Sequence, residues 1–212
     1  MQLPLRGLYA ITDNNIIPNQ QFIKSIEQAM IGGAKIIQYR DKNSDKERRK
    51  NQAKALYRLC RKYQIRLIIN DDVRLAQKAL ADGVHIGKGD VDVSTARAML
   101  GPDAIIGVSC YNQLSLAQKA VEEGATYVAF GRFFSSSTKP GAVSCSVDIL
   151  RQARQMFDCP IVAIGGITPD NGAELIAAGA DCLAVVHGLF GSEQADVIAT
   201  AKRYADLWAT DE

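Results

Sequence analysis

Hydroxyl side chains and one lysine follow a short apolar segment in the second half of the chain. The segment Tyr127–Phe130 is apolar throughout and predicts a buried strand. The residues that come soon after it include Ser136, Ser137, Thr138 and Lys139. Hydroxyl groups donate short hydrogen bonds to phosphate oxygens, and lysine adds a mobile positive charge. A solvated serine-rich loop has the same composition, so this loop indicates a phosphate site only if other strand ends carry matching chemistry.

Carboxylates at two further strand ends could bind a metal ion. Asp71 ends the predicted strand at 67–71, and Asp90 follows the predicted strand at 83–87. Mg²⁺ usually takes one or two carboxylates together with phosphate oxygens and water. Asp71 could instead be the N-cap of the next predicted helix, and Asp90 could be a turn residue after Gly89.

The elements that must position these residues are short apolar segments alternating with longer amphipathic ones. The predicted strands cover 7–13, 34–40, 67–71, 83–87, 105–109, 127–133, 161–166 and 183–188. The predicted helices cover 19–30, 44–63, 73–81, 93–100, 113–123, 147–156, a segment that begins at Thr168 and Pro169, and about 192–208. Ser44 with Glu47 forms the pattern of a capping box at the start of the second helix.

Eight strand–helix units of this kind predict an α/β fold. We expect a single (β/α)₈ TIM barrel over residues 1–212, with parallel strands and an outer ring of helices. Glycine-led junctions at 33–34, 83–84, 124–125 and 179–180 form a weak internal repeat that supports this division. A doubly wound sheet is the alternative, since both folds use continuous apolar parallel strands.

The carboxyl ends of barrel strands meet at one mouth, where barrel enzymes carry their reactive groups. The polar residues predicted to lie there are Thr12, Asp13, Gln38, Arg40, Lys42, Asn70, Asp71, His85, Asp90, Ser109, Lys139 and His187. Each one alone could be an ordinary polar residue at a strand end. Their concentration favours a site for a small, heavily anionic ligand.

Glycines at the ends of the last two strands predict a second anion site. Gly165–Gly166 and His187–Gly188 lie where barrels often bind phosphate through backbone N–H groups. A simple strand-to-helix turn would also explain these glycines. His85, flanked by Val84 and Ile86, is expected to support the barrel interior rather than bind a ligand.

Composition argues against several function classes. The net charge of +2 gives no reason to expect binding to nucleic acid or to an anionic membrane. No stretch has the length of a transmembrane helix and the N-terminus lacks a signal-peptide core, so we expect a cytoplasmic protein. The five cysteines lack metal-ligand spacing and several lie in apolar runs, which predicts buried free thiols. A homo-oligomer is compatible with the sequence, which carries no signal for one.

Several motifs in one order resemble the thiamine-phosphate synthase family. They are 7–13 (GLYAITD), 38–42 (QYRDK), 70–72 (NDD), 83–87 (GVHIG) with Asp90, 107–109 (GVS), 136–139 (SSTK) and 163–167 (AIGGI). Their ordered combination is specific, although no single motif is. The resemblance implies a barrel transferase that condenses hydroxymethylpyrimidine diphosphate with hydroxyethylthiazole phosphate, giving thiamine phosphate and pyrophosphate. It also implies one Mg²⁺ ion per subunit as the cofactor.

The resemblance further implies roles for individual residues. Those implied for the pyrimidine diphosphate are Gln38, Tyr39, Arg40, Asp41, Lys42, Asn70, Ser109 and Lys139, with Arg40, Ser109 and Lys139 acting in catalysis. Those implied for the thiazole phosphate are Ser136, Ser137, Thr138, Gly166, Val186 and His187. Asp71 and Asp90 would bind Mg²⁺.

Two positions depart from the family pattern. Ser136 stands where many relatives have threonine, and His187 stands where many have serine. A related barrel, the thiazole tautomerase, uses a histidine catalytically, so an isomerase of that type is one alternative. A non-catalytic protein that binds phosphorylated ligands is another. Asp71 and Asp90 together with Lys139 favour the synthase, because a tautomerase expels no diphosphate.

Overall fold

Eight parallel strands form a closed barrel in chain order. The computed structural model of the chain describes residues 5–42, 45–135, 144–191 and 196–211. The strands are β1 (Gly7–Ile11), β2 (Ile36–Tyr39), β3 (Arg66–Asn70), β4 (Gly83–Ile86), β5 (Ile105–Tyr111), β6 (Tyr127–Phe130), β7 (Ile161–Ile164) and β8 (Cys182–Val185). Because β8 pairs with β1 as well as with β7, the sheet is closed. The predicted TIM barrel is therefore confirmed, and the doubly wound sheet, which is open, is wrong.

Helices alternate with the strands and cover the outside of the barrel. They are α1 (Phe22–Ile31), α2 (Lys46–Tyr63), α3 (Val73–Ala79), α4 (Val93–Leu100), α5 (Leu114–Glu122), α6 (Asp148–Met156), α7 (Gly172–Ala177), α8 (His187–Phe190) and α9 (Val197–Ala205). Short 3₁₀ helices lie at Asn19–Gln21 and Asp206–Asp211.

Alternate side chains of each strand face opposite sides of the barrel wall. One set fills the barrel interior and includes Tyr9, Ile68 and Tyr127. The other set, which includes Leu8 and Ile37, packs between the strands and the helices. The interior of an eight-stranded barrel is only wide enough for side chains, so a ligand has to bind at one end of this barrel.

An aspartate determines where α2 begins. The side chain of Asp45 accepts hydrogen bonds from the backbone N–H groups of Glu47 and Arg48, so the helix starts at Lys46. Ser44 lies outside the described residues. The capping-box prediction is wrong, because Asp45 occupies the N-cap position that it gave to Ser44.

The last two strand–helix units differ from the prediction. Thr168 does not cap α7; its carbonyl oxygen accepts hydrogen bonds from Asn171 and Gly172 in a preceding turn, and the helix begins only at Gly172. The chain leaves β8 at Val185, and His187 begins α8 instead of extending the strand. In both places polar and glycine residues after the strand form a turn that the apolar pattern did not reveal.

All five cysteines are free thiols, as predicted, and four of them are buried. Burial raises the pKa of Cys60 and of Cys110 to about 12, because a thiolate is poorly solvated in apolar surroundings. These two thiols are therefore protonated packing groups rather than nucleophiles.

Gly107 leaves space for the fully buried ring of Tyr127 on the neighbouring strand. A Cβ atom at position 107 would lie 1.9 Å from Cζ of that ring. Gly107→Ala should therefore lower the free energy of unfolding by about 1–3 kcal/mol, the usual cost of overpacking a core, as measured by urea denaturation. Gly87→Ala is the control, because its Cβ atom would meet no neighbour closer than 3.6 Å. Equal losses in the two variants would contradict this packing argument.

Candidate active site

A cavity of about 460 Å³ opens at the carboxyl ends of the strands. Its volume lies within the range of small-ligand pockets. The predicted site residues that line it are Gln38, Arg40, Lys42, Asn70, Asp71, Asp90, Ser109, Gly166, Val186 and His187. The structure thus brings cations, carboxylates and hydroxyl groups from different strands to one mouth.

Arg40 is held in place by the end of the neighbouring strand β1. Its backbone N–H donates to Thr12 Oγ1 at 2.9 Å, and the same hydroxyl donates to the Arg40 carbonyl oxygen at 3.2 Å. Arg40 Nη1 lies 2.6 Å from Oδ2 of Asp13, whose exposed fraction is 4%. Because a buried carboxylate needs a partner, this ion pair fixes the guanidinium at the mouth. Thr12 and Asp13 were predicted to lie at the mouth, but this role was not predicted for them.

Lys42 and Asp71 form an ion pair beside the cavity, with Nζ 3.3 Å from Oδ2. The alternative in which Asp71 caps α3 is wrong, because the side chain of Asp72 accepts a hydrogen bond from the Leu75 N–H at 2.9 Å and is the cap. Asp71 itself has φ of 62°, a left-handed conformation that aspartate tolerates better than most residues. Its N–H donates to the carbonyl oxygen of His85 at 2.8 Å. The carboxylate is therefore not used by the helix and faces the cavity.

Asp90 lies in the loop after β4, where a turn holds its carboxylate next to Asp71. The Gly87 N–H donates to Asp90 Oδ2 at 2.8 Å, and the Asp90 N–H donates to the Gly87 carbonyl oxygen at 3.2 Å. Partial burial raises the pKa of Asp90 above its usual value, and the charge of Asp71 raises it further; the hydrogen bond from Gly87 and the charge of Lys42 oppose this. Two carboxylates that repel each other in this way form an arrangement that a divalent cation relieves.

The pairing of β5 with β6 shifts register between Ser109 and Tyr111, which both line the cavity. Ser109 faces it, and Tyr111, two residues later, has φ of 55° and an exposed ring. The Tyr111 hydroxyl accepts a hydrogen bond from the Lys88 N–H at 3.3 Å, which connects the end of β5 to the loop that carries Asp90. Bulges of this kind are frequent beside active sites. Tyr111 was not among the residues predicted from the sequence, and the strand pattern gave no sign of the register shift.

Gly165 and Gly166 allow the loop after β6 to approach the end of β7. The Phe134 N–H donates to the Gly165 carbonyl oxygen at 3.0 Å, and a Cβ atom on Gly166 would lie 2.4 Å from the Ser135 carbonyl oxygen. The close approach of the two backbones thus requires glycine here. This is a second reason for the glycines, in addition to the strand-to-helix turn considered from the sequence. Arg132 comes from this loop and lines the cavity. It is a further cation that the sequence analysis missed, although its position soon after a strand was a usable signal.

The end of β8 supplies Val186 and His187 to the same cavity. The His187 ring packs against the backbone of Gly191, where a Cβ atom would lie 2.5 Å from Cγ of the ring. His187 is nevertheless exposed, so its ring can contact a bound ligand.

Tyr39 and Asp41 do not line the cavity. Tyr39 follows Gln38 on β2 and therefore faces the opposite side of the barrel wall. Its hydroxyl lies 2.9 Å from Gln52 Oε1 and 3.3 Å from Asp41 Oδ2. The structure thus gives both residues partners outside the cavity, and it does not support the predicted contact with a pyrimidine diphosphate. Four further predicted residues, Ser136, Ser137, Thr138 and Lys139, lie outside the described residues.

Comparison with known proteins identifies the family. A family model described as thiamine monophosphate synthase matches residues 8–189. The structure of thiamine phosphate pyrophosphorylase from Pyrococcus furiosus is 32% identical, with 97% of this chain and 96% of that chain covered and a TM-score of 0.86. The chain belongs to the thiamine monophosphate synthase family. The resemblance found in the sequence motifs is thereby confirmed, and the chain is a transferase of thiamine-phosphate synthesis.

Two more distant structures share the fold. A thiamine phosphate pyrophosphorylase from Bacteroides thetaiotaomicron is 17% identical, with 97% of this chain and 99% of that chain covered and a TM-score of 0.70. A (S)-3-O-geranylgeranylglyceryl phosphate synthase from Thermoplasma acidophilum, in complex with its substrate sn-glycerol-1-phosphate, is 16% identical over 95% and 92% of the two chains, with a TM-score of 0.70. In the part of the chain that the structure describes, no helix combines the length and apolarity needed to span a bilayer.

Asp71 and Asp90 suit the magnesium ion that synthases of this family use. Within residues 5–42, 45–135, 144–191 and 196–211, no group of three or more carboxylate, histidine or cysteine side chains forms a metal site built from protein alone. Mg²⁺ needs only one or two carboxylates when phosphate oxygens and water complete its coordination shell. The carboxylate pair therefore fits an ion that binds together with a phosphorylated substrate.

Asp90→Asn should weaken binding of Mg²⁺ to the protein. Asparagine keeps the oxygen that accepts the hydrogen bond from Gly87 but lacks the negative charge. A ligand that binds the folded state raises Tm, and it raises Tm more the more tightly it binds. We therefore expect Mg²⁺ with pyrophosphate to raise the Tm of the wild type and to raise the Tm of the variant much less. Scanning calorimetry measures both shifts. Asp158→Asn, an exposed position outside the cavity lining, controls for the loss of one carboxylate; an unchanged shift in Asp90→Asn would contradict the metal assignment.

Proposed function

We propose that this enzyme condenses 4-amino-2-methyl-5-hydroxymethylpyrimidine diphosphate with 4-methyl-5-hydroxyethylthiazole phosphate, forming thiamine phosphate and pyrophosphate. One observation carries the proposal. The repelling carboxylates of Asp71 and Asp90 lie beside Lys42 and share one cavity with Arg40. A diphosphate with a divalent cation matches this set of charges, because its oxygens meet the cations while the metal ion meets the carboxylates.

In this proposal the two substrates occupy opposite walls of the cavity. The wall formed by β2 to β5 binds the pyrimidine diphosphate through Gln38, Arg40, Lys42, Asn70 and Ser109. The wall formed by β7 and β8 binds the thiazole phosphate through Gly166, Val186 and His187. The resemblance adds Lys139 to the first wall and Ser136, Ser137 and Thr138 to the second. Arg132 enters the cavity between the two walls and adds a cation to either phosphate.

Asp71 and Asp90 would hold Mg²⁺ in the proposed site. When bound, the ion would supply positive charge that neutralises a diphosphate and makes it a better leaving group.

The reaction then needs stabilisation of charge more than transfer of protons. The carbon–oxygen bond between the pyrimidine methylene and the diphosphate breaks, and the electron pair leaves with the diphosphate. Arg40, fixed by Asp13, and Lys42 stabilise the negative charge that develops on the leaving oxygen. The amino group of the pyrimidine delocalises the positive charge left on the methylene carbon.

The thiazole nitrogen completes the reaction by attacking that carbon with its lone pair. This nitrogen carries no proton, so no general base is required. Holding the two substrates in line supplies much of the remaining rate enhancement, because it removes the entropic cost of their encounter. A thiazole tautomerase, in contrast, would have no use for a diphosphate site at Arg40, Lys42 and the two carboxylates.

The direct test is to mix the purified protein with both substrates and Mg²⁺ and to follow thiamine phosphate and pyrophosphate. Product is expected with Mg²⁺ and not with EDTA. Asp71→Ala should lower kcat/KM roughly 100-fold or more, the scale seen when one electrostatic partner of a transition state is removed. Full activity of that variant would refute the metal assignment. Absence of product from folded wild-type protein would refute the proposed function, and activity on the carboxylated thiazole tautomer without Mg²⁺ would favour the tautomerase.

His187→Ser should change thiazole affinity and leave the reaction type intact. The ring is exposed at the wall assigned to the thiazole phosphate, and loss of one hydrogen bond costs about 1 kcal/mol, or roughly a fivefold rise in KM. Steady-state kinetics with each substrate varied in turn separates the two effects. A large fall in kcat with both substrates saturating would contradict a role confined to binding.

A further inference from the structure

Five polar side chains form a continuous row of hydrogen bonds across the barrel interior, at the floor of the cavity. Gln38 Nε2 lies 2.8 Å from the hydroxyl of Tyr9, which lies 2.8 Å from the hydroxyl of Tyr127. That hydroxyl lies 2.9 Å from His85 Nδ1, and His85 Nε2 lies 2.8 Å from Ser109 Oγ. We call these five residues the interior relay. Its two ends, Gln38 and Ser109, lie on strands β2 and β5 and both line the cavity, as do Tyr9 and His85 between them.

Packing fixes the middle of the interior relay. Tyr9 and Tyr127 are 1% and 0% exposed, and their rings meet edge to face with centroids 6.1 Å apart. The His85 ring stacks on Tyr127 with centroids 5.7 Å apart and an angle of 22°. Burial raises the pKa of both tyrosines well above the usual value. Each hydroxyl therefore keeps its one proton and has little freedom to choose another partner.

Because each hydroxyl in the interior relay has one proton to donate, the direction of one hydrogen bond determines the direction of all the others. With the amide nitrogen of Gln38 donating to Tyr9, the proton of Tyr9 goes to the oxygen of Tyr127. The proton of Tyr127 then goes to His85 Nδ1. A neutral His85 ring consequently carries its own proton on Nε2 and donates it to Ser109 Oγ, which leaves the Ser109 proton for the cavity.

The opposite direction reverses every group in the row. If the Gln38 amide presented its oxygen to Tyr9, each hydroxyl would donate the other way and His85 would carry its proton on Nδ1. Ser109 would then donate to His85 Nε2 and could only accept from a ligand. Gln38 and Ser109 are thus linked. The orientation of the Gln38 amide determines whether Ser109 donates a hydrogen bond to a ligand in the cavity or accepts one from it.

We propose that Tyr9, Tyr127 and His85 are positioning residues that set Gln38 as a hydrogen-bond acceptor and Ser109 as a donor toward the pyrimidine, and so select a 4-amino over a 4-oxo ring. This inference rests on the proposed function. An aminopyrimidine has a donor amino group and acceptor ring nitrogens, which match an acceptor at Gln38 on β2 and a donor at Ser109 on β5. In the 4-oxo ring the exocyclic oxygen accepts and the adjacent nitrogen carries a proton, which is the inverse pattern.

The first test measures the tautomer of His85 without substrate. The chain has two histidines, so long-range proton–nitrogen spectra of protein labelled with ¹⁵N-histidine can be assigned with His187→Ser. The wild-type ring is expected to carry its proton on Nε2, and Tyr127→Phe should remove that preference. A wild-type ring protonated on Nδ1, or on both nitrogens, would overturn the proposed direction.

The second test measures the dissociation constants of the 4-amino and 4-oxo pyrimidine monophosphates by calorimetry. These compounds lack the diphosphate leaving group, so binding is measured without turnover. The wild type is expected to prefer the amino compound by roughly tenfold or more, the value of one well-placed hydrogen bond. Tyr127→Phe, and independently Tyr9→Phe, should bring the ratio close to one.

Tyr204→Phe is the matched control. Its hydroxyl is buried and donates to the Ile167 carbonyl oxygen at 2.8 Å, away from the interior relay. We expect this variant to lose stability and to keep the wild-type ratio. An unchanged ratio in a folded relay variant, an equal fall in Tyr204→Phe, or a wild type that binds neither pyrimidine would overturn the proposal. A wild type that forms no thiamine phosphate would refute the proposed function instead, and the tautomer measurement would still report on the relay.

Discussion

Backbone hydrogen bonds between β1 and β8 close the parallel sheet into a barrel. Closure determines which side chains can meet, because inward-facing residues of non-adjacent strands share a narrow interior. Tyr9 and Tyr127 are 118 positions apart in the chain, yet their hydroxyl groups lie 2.8 Å apart. Closure also brings the carboxyl ends of all eight strands to one rim. Charged groups from separate units, such as Arg40 and Asp90, therefore line one cavity although they are far apart in sequence.

The rim uses two different ways of attracting an anion. On the side of β2 to β4, side chains carry the charge, and each is fixed by a partner: Arg40 by Asp13, and Lys42 by Asp71. On the side of β6 to β8, glycines allow the loops after β6 and β7 to approach each other closely. A metal ion fits the first side because the carboxylates there repel each other. The arrangement suits two phosphorylated molecules that have to be told apart and held facing each other.

The sequence predicted the barrel because eight apolar runs and their glycine junctions recur along the chain. It predicted most of the strand-end residues of the site, because active sites in (β/α)₈ barrels lie at the carboxyl ends of the strands. Strand alternation, applied to QYRDK, would also have separated Gln38 and Arg40 from Tyr39, which points to the helices. The sequence could not choose Asp72 over Asp71 as the helix cap, since that depends on the local left-handed backbone of Asp71. The interior relay was beyond reach, because it depends on distances between side chains of five different strands.

The contact between Gly107 and Tyr127 has a consequence for how this sequence can change over generations. The ring of Tyr127 occupies the volume that a side chain at position 107 would need, so a larger residue at 107 is compatible only with a smaller one at 127. A smaller residue at 127 would remove the hydroxyl that joins Tyr9 to His85. In homologous chains, a residue larger than glycine is therefore expected at position 107 only where a residue smaller than tyrosine stands at position 127.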